Sequence, residues 1–200
     1  MELRDAVDRI SAIRSHLAAT ERLRGLGAKP VAASAAVAAV AAMAQHAWCA
    51  SPAADPFGYV GVWLGASLCG AGIAALAVAL RLQATASPLV ASSAAQALRV
   101  FAPIIAFGLL LTAAVVVQAP QALSLLPGLW QLLYAMALWG ARRLLPSVRL
   151  VAAFFVITGA TCLWLGDAAL APLAMGLPFA VGQCLIACLL RDGNRNEVVS

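Results

Sequence analysis

The chain has 200 residues, of which 64% are hydrophobic and 10% are charged, and its mean hydropathy is +0.93. Soluble globular domains carry about 25% charged residues, so this composition excludes an ordinary soluble domain. The formal net charge is +5. The basic residues nevertheless lie at the ends of apolar runs, and this distribution argues against a nucleic-acid-binding face.

The N-terminal segment, residues 1–28, is predicted to be a cytoplasmic amphipathic helix. Charged positions surround a narrow, mostly apolar seam whose members recur at alternating steps of four and three: Leu3, Ala6, Ile10, Ile13, Leu17 and Thr20. Such a seam pairs with a partner helix, and it also suits a helix that lies on a lipid surface. The sequence leaves both interpretations open for residues 3–24.

Residues 29–191 contain six apolar runs, each close to the roughly 20 residues that a helix needs to cross a bilayer. They lack the alternation of barrel strands, so the predicted fold class is all-α, a polytopic membrane protein of six transmembrane helices. The spans are predicted at 31–48, 58–80, 100–117, 122–141, 148–166 and 168–190. Residues 82–98 are expected to form the longest loop, with a short helix opening at Pro88. Residues 192–200 form a polar tail.

The sidedness of the charges orients these spans. All thirteen Lys and Arg residues fall on one side of the predicted membrane: within or next to the N-terminal segment, two alternate connections or the tail. The connections on the opposite side carry only Asp55 and Asp167 as charged residues. Short cytoplasmic loops are enriched in Lys and Arg, so both termini are expected on the cytoplasmic side of the membrane. Four tryptophans are predicted to be interfacial anchors: Trp48, Trp63, Trp139 and Trp164.

Few side chains inside the spans carry chemistry. His46, near the outer end of the first span, is either a packing or interfacial residue or a ligand for a metal, a haem or a proton. Gln131 and Gln183 are deeply placed amides that either form interhelical hydrogen bonds or line a polar pathway. No acid, base and nucleophile set can be assembled, so the sequence predicts no catalytic, metal or cofactor site and no enzymatic activity.

Small residues crowd the second span, where Gly61 and Gly65 form a GxxxG match. This spacing brings helices close together, and we interpret it as either an intramolecular contact or a homo-oligomer face. Cys184 and Cys188 share a helix face four residues apart, and packing is favoured there over soft-metal binding. The three hairpins end similarly, and the sequence does not decide whether they are a repeat.

Two segments carry a resemblance, RISAIRSHLAATERLRGLGAKP at residues 9–30 and MGLPFAVGQ at residues 175–183. They resemble an uncharacterised family of bacterial six-span inner-membrane proteins with an N-terminal amphipathic helix. In that family an aromatic residue and a serine stand before the first span, where this chain has Leu23 and Gly25. The resemblance implies no activity or ligand. Family members tend to be encoded near winged-helix regulators, which implies a role beside a protein partner.

These features favour an interaction or sensory-accessory component that works through its N-terminal helix. The expected partners are the lipid bilayer and either another protein or a second copy of the chain, bound through residues 3–24 or the Gly61 and Gly65 face, and no nucleic acid is expected. The alternative is a small transporter or channel subunit. Because no charge lies at a span centre, its cargo would be neutral or apolar. Pro103, Pro127 and Pro178 offer the broken helices that mark binding sites in transporters.

Overall fold

A computed structural model describes residues 27–49, 51–85, 88–143 and 148–196 of the chain. The predicted amphipathic helix at residues 2–26 lies outside the described residues. Six α-helices follow one another, and we number them α1 (Ala28–Trp48), α2 (Pro56–Thr85), α3 (Pro88–Gln118), α4 (Leu126–Gly140), α5 (Val148–Leu165) and α6 (Pro172–Asn196). Short 3-10 helices cover Pro120–Leu125, Ala141–Arg143 and Gly166–Leu170.

All six helices are long and apolar enough to cross a membrane. A helix bonds its backbone groups internally, and lipid offers those groups no other partner. Proline stands at the first position of α2, α3 and α6, where its missing N–H removes no helical hydrogen bond. The predicted all-α, polytopic membrane fold is confirmed.

The predicted loop at residues 82–98 is wrong for most of its length. α2 continues to Thr85, and α3 starts at Pro88 and runs without a break to Gln118. Residues 88–98 are therefore the first turns of α3 rather than a separate short helix. The Ala, Leu and Gln residues in this stretch are good helix formers, and they extend the helix beyond the apolar core of the span.

The fourth apolar span begins at Pro120, two residues before its predicted start, and the sixth begins at Pro172, four residues after its predicted start. Residues 120–125 and 166–170 form 3-10 helices, so α4 begins at Leu126 and α6 at Pro172. Gly166 has a φ of +55°. This left-handed conformation, which glycine adopts without strain, directly follows the last residue of α5 and turns the chain toward α6.

The helices form a closed ring in chain order. Each helix contacts its neighbours in sequence, and an extensive α1–α6 contact closes the ring. Glycines allow the closest contacts: a Cβ on Gly176 of α6 would lie 2.5 Å from the Cβ of Ala42 in α1. α2 and α3 are the least covered, with 6% and 11% of their spans buried against 33% to 44% in the others.

The two ends of the bundle differ in charge. We call the end where α1 finishes and α2 begins the acidic end, because its connections hold Asp55 and Asp167. The opposite, basic end holds every Lys and Arg of the described helices: Lys29, Arg81, Arg99, Arg142, Arg143, Arg149, Arg191 and Arg195.

Three of the predicted interfacial tryptophans are exposed near the helix ends, Trp48, Trp139 and Trp164. Trp139 lies beside Arg142, whose guanidinium carbon is 5.2 Å from the ring centroid. The prediction for Trp63 is wrong, because its side chain is only 4% exposed. Its indole N–H has a hydrogen-bond partner inside the bundle, and this partner explains the burial of a residue type that otherwise favours the interface.

Candidate functional site

A layer of polar side chains crosses the interior near the acidic end. Its members lie within about two helical turns of that end and come from five helices: Gln45, Tyr59, Trp63, Thr112, Trp130, Gln131 and Cys162. We call these seven residues the polar layer. Burying polar groups is expensive unless they are hydrogen-bonded, so each partner in this layer bears on what the layer can do.

Gln45 is fully buried and joins three elements. Its Nε2 donates to the carbonyl oxygen of Leu170 at 2.6 Å, and its Oε1 accepts from the indole Nε1 of Trp63 at 2.8 Å. The amide therefore links α1 to α2 and to the segment before α6. Gln45 shares one face of α1 with the buried alanines at positions 35, 38 and 42, and that spacing of three and four residues explains its burial.

A second hydrogen-bonded pair joins α3 to α4. The indole Nε1 of Trp130 donates to the Thr112 hydroxyl at 2.9 Å, and that hydroxyl donates to the carbonyl oxygen of Gly108 at 2.7 Å. The ring of Trp130 stacks parallel to that of Tyr59, with centroids 6.3 Å apart. This stack brings α2 and α4 together across the inside of the ring.

Gln131 is fully buried at the contact of α4 with α5 and α6. Its Nε2 donates to the carbonyl oxygen of Ala174 at 3.1 Å and to the Cys162 sulfur at 3.3 Å. The Cys162 thiol in turn donates to the same Ala174 carbonyl at 3.7 Å. A carbonyl oxygen only accepts, so the nitrogen of the Gln131 amide must face Ala174 and its oxygen must point elsewhere.

Two buried atoms of the polar layer have no hydrogen-bond partner within the described part of the chain: the Tyr59 hydroxyl and Gln131 Oε1. Both residues are 0% exposed. An unsatisfied buried polar group costs about 1–3 kcal/mol, and such groups in native structures call for an explanation.

Gln183 lies deeper toward the basic end and forms an interhelical bond. Its Nε2 donates to the Tyr134 hydroxyl at 2.7 Å, which links α6 to α4. Tyr134 belongs to a packed aromatic cluster in which its ring centroid lies 4.8 Å from that of Phe155 and 5.4 Å from that of Phe179. This cluster fills the interior between the polar layer and the basic end.

A cleft of about 420 Å³ opens at the acidic end above the polar layer. Its lining includes His46, Cys49 and Asp167, with the buried Gln45 reaching the same space. His46 and Asp167 are both exposed. The lining thus includes His46, a predicted site candidate, and the preceding residue Gln45, which was not among the predicted candidates.

Asp55 shapes the connection beneath this cleft. Its Oδ1 accepts from the backbone N–H of Gly58 at 2.9 Å and so caps the first turn of α2. Its backbone carbonyl accepts from the Cys49 thiol at 3.7 Å. Burial, and to a smaller extent the negative charge of Asp55, raise the pKa of the Cys49 thiol, so this thiol stays protonated at neutral pH.

Within the described residues, no group of three His, Cys, Asp or Glu side chains could hold a metal ion. Cys184 and Cys188 are free and exposed on α6. No ionisable side chain except the Cys162 thiol and the Tyr59 phenol belongs to the polar layer. Chemically, the layer is suited to hydrogen bonding with uncharged groups.

Comparisons of the chain with protein-family models, with curated proteins and with solved structures find no match.

Sequence reasoning found Gln131 and Gln183 but missed Gln45, Tyr59, Thr112 and Trp130. A signal was present for Gln45, since it continues the small-residue face of α1. The Tyr59 and Trp130 pair carried no comparable signal, because a tyrosine and a tryptophan near helix ends are also typical of interfacial anchors.

Proposed function

We propose that the protein is an accessory component of a membrane assembly and that it works by association rather than by catalysis. Two surfaces serve this role. The N-terminal segment, residues 3–24, binds a partner protein through its apolar seam, and the glycine face of α2, defined by Gly61, Gly65 and Gly72, pairs with the same face of a second copy. The carrying observation is that this glycine face points away from the rest of the described chain.

The geometry of α2 supports this assignment. A Cβ added at Gly61, Gly65 or Gly72 would meet no atom within 4 Å, whereas Trp63 and Tyr59 of the same helix are buried. At about 100° per residue, the three glycines cluster on the side of α2 opposite Trp63. Membrane helices approach closely through faces of this kind, and identical faces on two copies are self-complementary about a twofold axis.

We place the protein in a bacterial inner membrane with both termini in the cytoplasm. The basic end carries the Lys and Arg residues of the described helices, and the acidic end carries Asp55 and Asp167. Basic residues favour the cytoplasmic side, where they also face anionic lipid. The N-terminal segment then lies on the cytoplasmic side, within reach of soluble or membrane-bound partners.

Stoichiometry in lipid tests the α2 interface. Single-molecule photobleaching counts the copies of fluorescently labelled protein in each complex in dilute bilayers. We expect dimers, and Gly65→Leu should raise their dissociation constant at least tenfold. The control is Ala71→Leu, which places the same leucine side chain on an exposed part of α2 about 120° away. Equal dimer fractions in both variants, or only monomers in the unmodified protein, contradict the α2 interface.

Co-purification tests the N-terminal surface separately. After deletion of residues 1–26, the proteins that co-purify with the full chain from native membranes are expected to be lost. The shortened protein should still be found in the membrane fraction and be extracted from it to the same extent as the full chain. An unchanged set of partners after this deletion contradicts the role of residues 3–24.

A second candidate function is passage or sensing of a small neutral solute, which the cleft above the polar layer favours. The cleft opens at the acidic end, Gln45 reaches it from a buried position, and the layer beneath holds hydrogen-bonding groups without a fixed charge. Small-molecule sites in helical bundles are commonly found between the helices. The aromatic cluster around Tyr134 would then separate the layer from the basic end.

Flux in proteoliposomes tests this candidate. Stopped-flow light scattering with water, ethylene glycol and urea is expected to show permeation above that of protein-free vesicles, with a loss in Gln131→Leu. Gly65→Leu, which changes only the outward face of α2, should keep the flux. Permeation at the level of protein-free vesicles contradicts this function.

A further inference from the structure

The two orphaned atoms of the polar layer share their surroundings. Gln131 Nε2 lies 3.3 Å from the Cys162 sulfur and 3.8 Å from the Met175 sulfur. Met175 belongs to the same buried cluster as Tyr59. The Tyr59 ring also stacks on the ring of Trp130, the residue before Gln131, with centroids 6.3 Å apart. Met175 and Trp130 therefore connect the neighbourhood of Tyr59 with that of Gln131.

We propose that the Tyr59 hydroxyl and Gln131 Oε1 form a binding site for a small, uncharged, hydroxyl-bearing molecule, either water or a small alcohol. The inference deepens the solute-binding candidate, on which it rests for the role of the ligand. It is independent of the α2 interface.

The hydrogen-bonding capacity of the two atoms selects this chemistry. A carboxamide oxygen only accepts, and a phenol both donates and accepts. The ligand must therefore donate to Gln131 and can accept from Tyr59. A hydroxyl group does both with one oxygen atom, whereas a carbonyl or an ether cannot donate. Buried waters typically make about three hydrogen bonds, and the Cys162 sulfur offers a weak third partner.

The charge of the surrounding residues and the space between them restrict the class of ligand further. No Asp, Glu, Lys or Arg belongs to the polar layer, so an ionic ligand would lose its hydration without a counter-charge. Tyr59 and Gln131 are fully buried among packed side chains, which restricts the ligand to a few heavy atoms.

The open cleft adjoins the buried cluster that contains Tyr59. Cys49 and Leu170 line the cleft, and both also belong to that cluster. A small molecule that enters from the acidic end therefore meets this cluster first.

Infrared difference spectroscopy on the full chain in nanodiscs tests the site for water. Exchange of H₂¹⁶O for H₂¹⁸O is expected to shift the O–H stretching band of an internal water in the unmodified protein. This shifted band should be lost in Tyr59→Phe and in Gln131→Leu. Tyr134→Phe, which removes a hydroxyl outside the proposed site, is the control and should keep the band.

Thermal unfolding with ethylene glycol tests the site for an alcohol. A saturable rise in Tm is expected in the unmodified protein, with at least tenfold weaker apparent affinity in Tyr59→Phe and Gln131→Leu and no change in Tyr134→Phe. If the isotope-shifted band is lost in both site variants, the site holds water. If the rise in Tm with ethylene glycol is lost in both, the site binds an alcohol, and either result supports the proposal. Absence of both signals, or signals that survive in the site variants, overturns the proposal. If the site is occupied but proteoliposomes show no flux, the passage function is contradicted and the binding site is not.

Discussion

Gly128 of α4 and Gly159 of α5 face each other so closely that a Cβ on Gly128 would lie 2.7 Å from the carbonyl oxygen of Gly159. Both residues are buried. The close intramolecular contact between small residues therefore lies at this pair. The GxxxG match in α2 makes no such contact within the described chain and faces outward. Close backbone approach of this kind stabilises helix pairs in lipid through dispersion and weak polar contacts.

Replacing Gly159 is expected to destabilise the bundle. A Cβ there would meet the Gly128 carbonyl oxygen at 3.0 Å and the Gln131 side chain at 3.1 Å, so these neighbours on α4 must shift by a few tenths of an ångström. We expect Gly159→Ala to lower the free energy of unfolding by about 1–3 kcal/mol. Denaturation in mixed micelles measures it. Gly61→Ala is the matched control, because a Cβ at Gly61 meets nothing within 4 Å. An equal loss in both variants would refute the tight α4–α5 contact.

The bond between Trp63 and Gln45 is expected to behave as a coupled pair. Trp63→Phe removes the donor and leaves the buried Gln45 Oε1 unsatisfied, which should lower the free energy of unfolding by about 1–3 kcal/mol. Adding Gln45→Leu removes the stranded acceptor, so the double variant should lose less than the sum of the single losses. A double-mutant cycle measures this coupling, and strict additivity would show that the two side chains do not interact.

The Cys49 thiol is expected to react slowly with alkylating reagents at neutral pH. Thiolate is the reactive form, and burial together with Asp55 raises the pKa of this thiol above its usual value. In a variant with Cys49 as the sole cysteine, the alkylation rate should rise only at alkaline pH. Asp55→Asn keeps the oxygen that caps α2 and removes the charge. The rise of the alkylation rate with pH should therefore shift to lower pH in this variant, but only in part, because burial remains. A profile unchanged by Asp55→Asn would show that the charge does not act on the thiol.

Fusions at the chain ends test the proposed orientation. Green fluorescent protein folds in the cytoplasm and not after export in an unfolded state, so a C-terminal fusion should fluoresce. Alkaline phosphatase inserted after Pro52, in the connection at the acidic end, should be active, because it requires an oxidising compartment. A dark C-terminal fusion with an inactive phosphatase insertion would reverse the orientation.

The sequence predicted the six helices because crossing a bilayer demands long apolar runs. It placed helix ends less well. At residues 82–98 a lower apolar content was interpreted as a loop, although Ala, Leu and Gln continue α2 and begin α3 beyond the apolar core. Hydropathy reports where lipid begins, and helical hydrogen bonding does not stop at that boundary.

The candidate site was only partly predictable. Gln131 and Gln183 stood out as amides inside apolar spans. Trp63 was misassigned to the interface because its burial depends on Gln45, a residue 18 positions earlier on another helix. The pairing of Tyr59 with Trp130 likewise depends on how α2 and α4 meet. Such contacts between distant positions follow from the packing of the ring and leave no periodic trace in the chain.

Disulfide formation through Cys69 tests the proposed association most directly. Cys69 is free and exposed one turn beyond Gly65 on α2, so two copies paired through their glycine faces bring their Cys69 thiols near each other. In native membranes, a variant with Cys69 as its sole cysteine should form a disulfide-linked dimer on mild oxidation, and Gly65→Leu should abolish that dimer. A variant with Cys184 as its sole cysteine, exposed on α6, should remain monomeric. Failure of Cys69 to cross-link, or equal cross-linking through Cys184, would contradict pairing through α2.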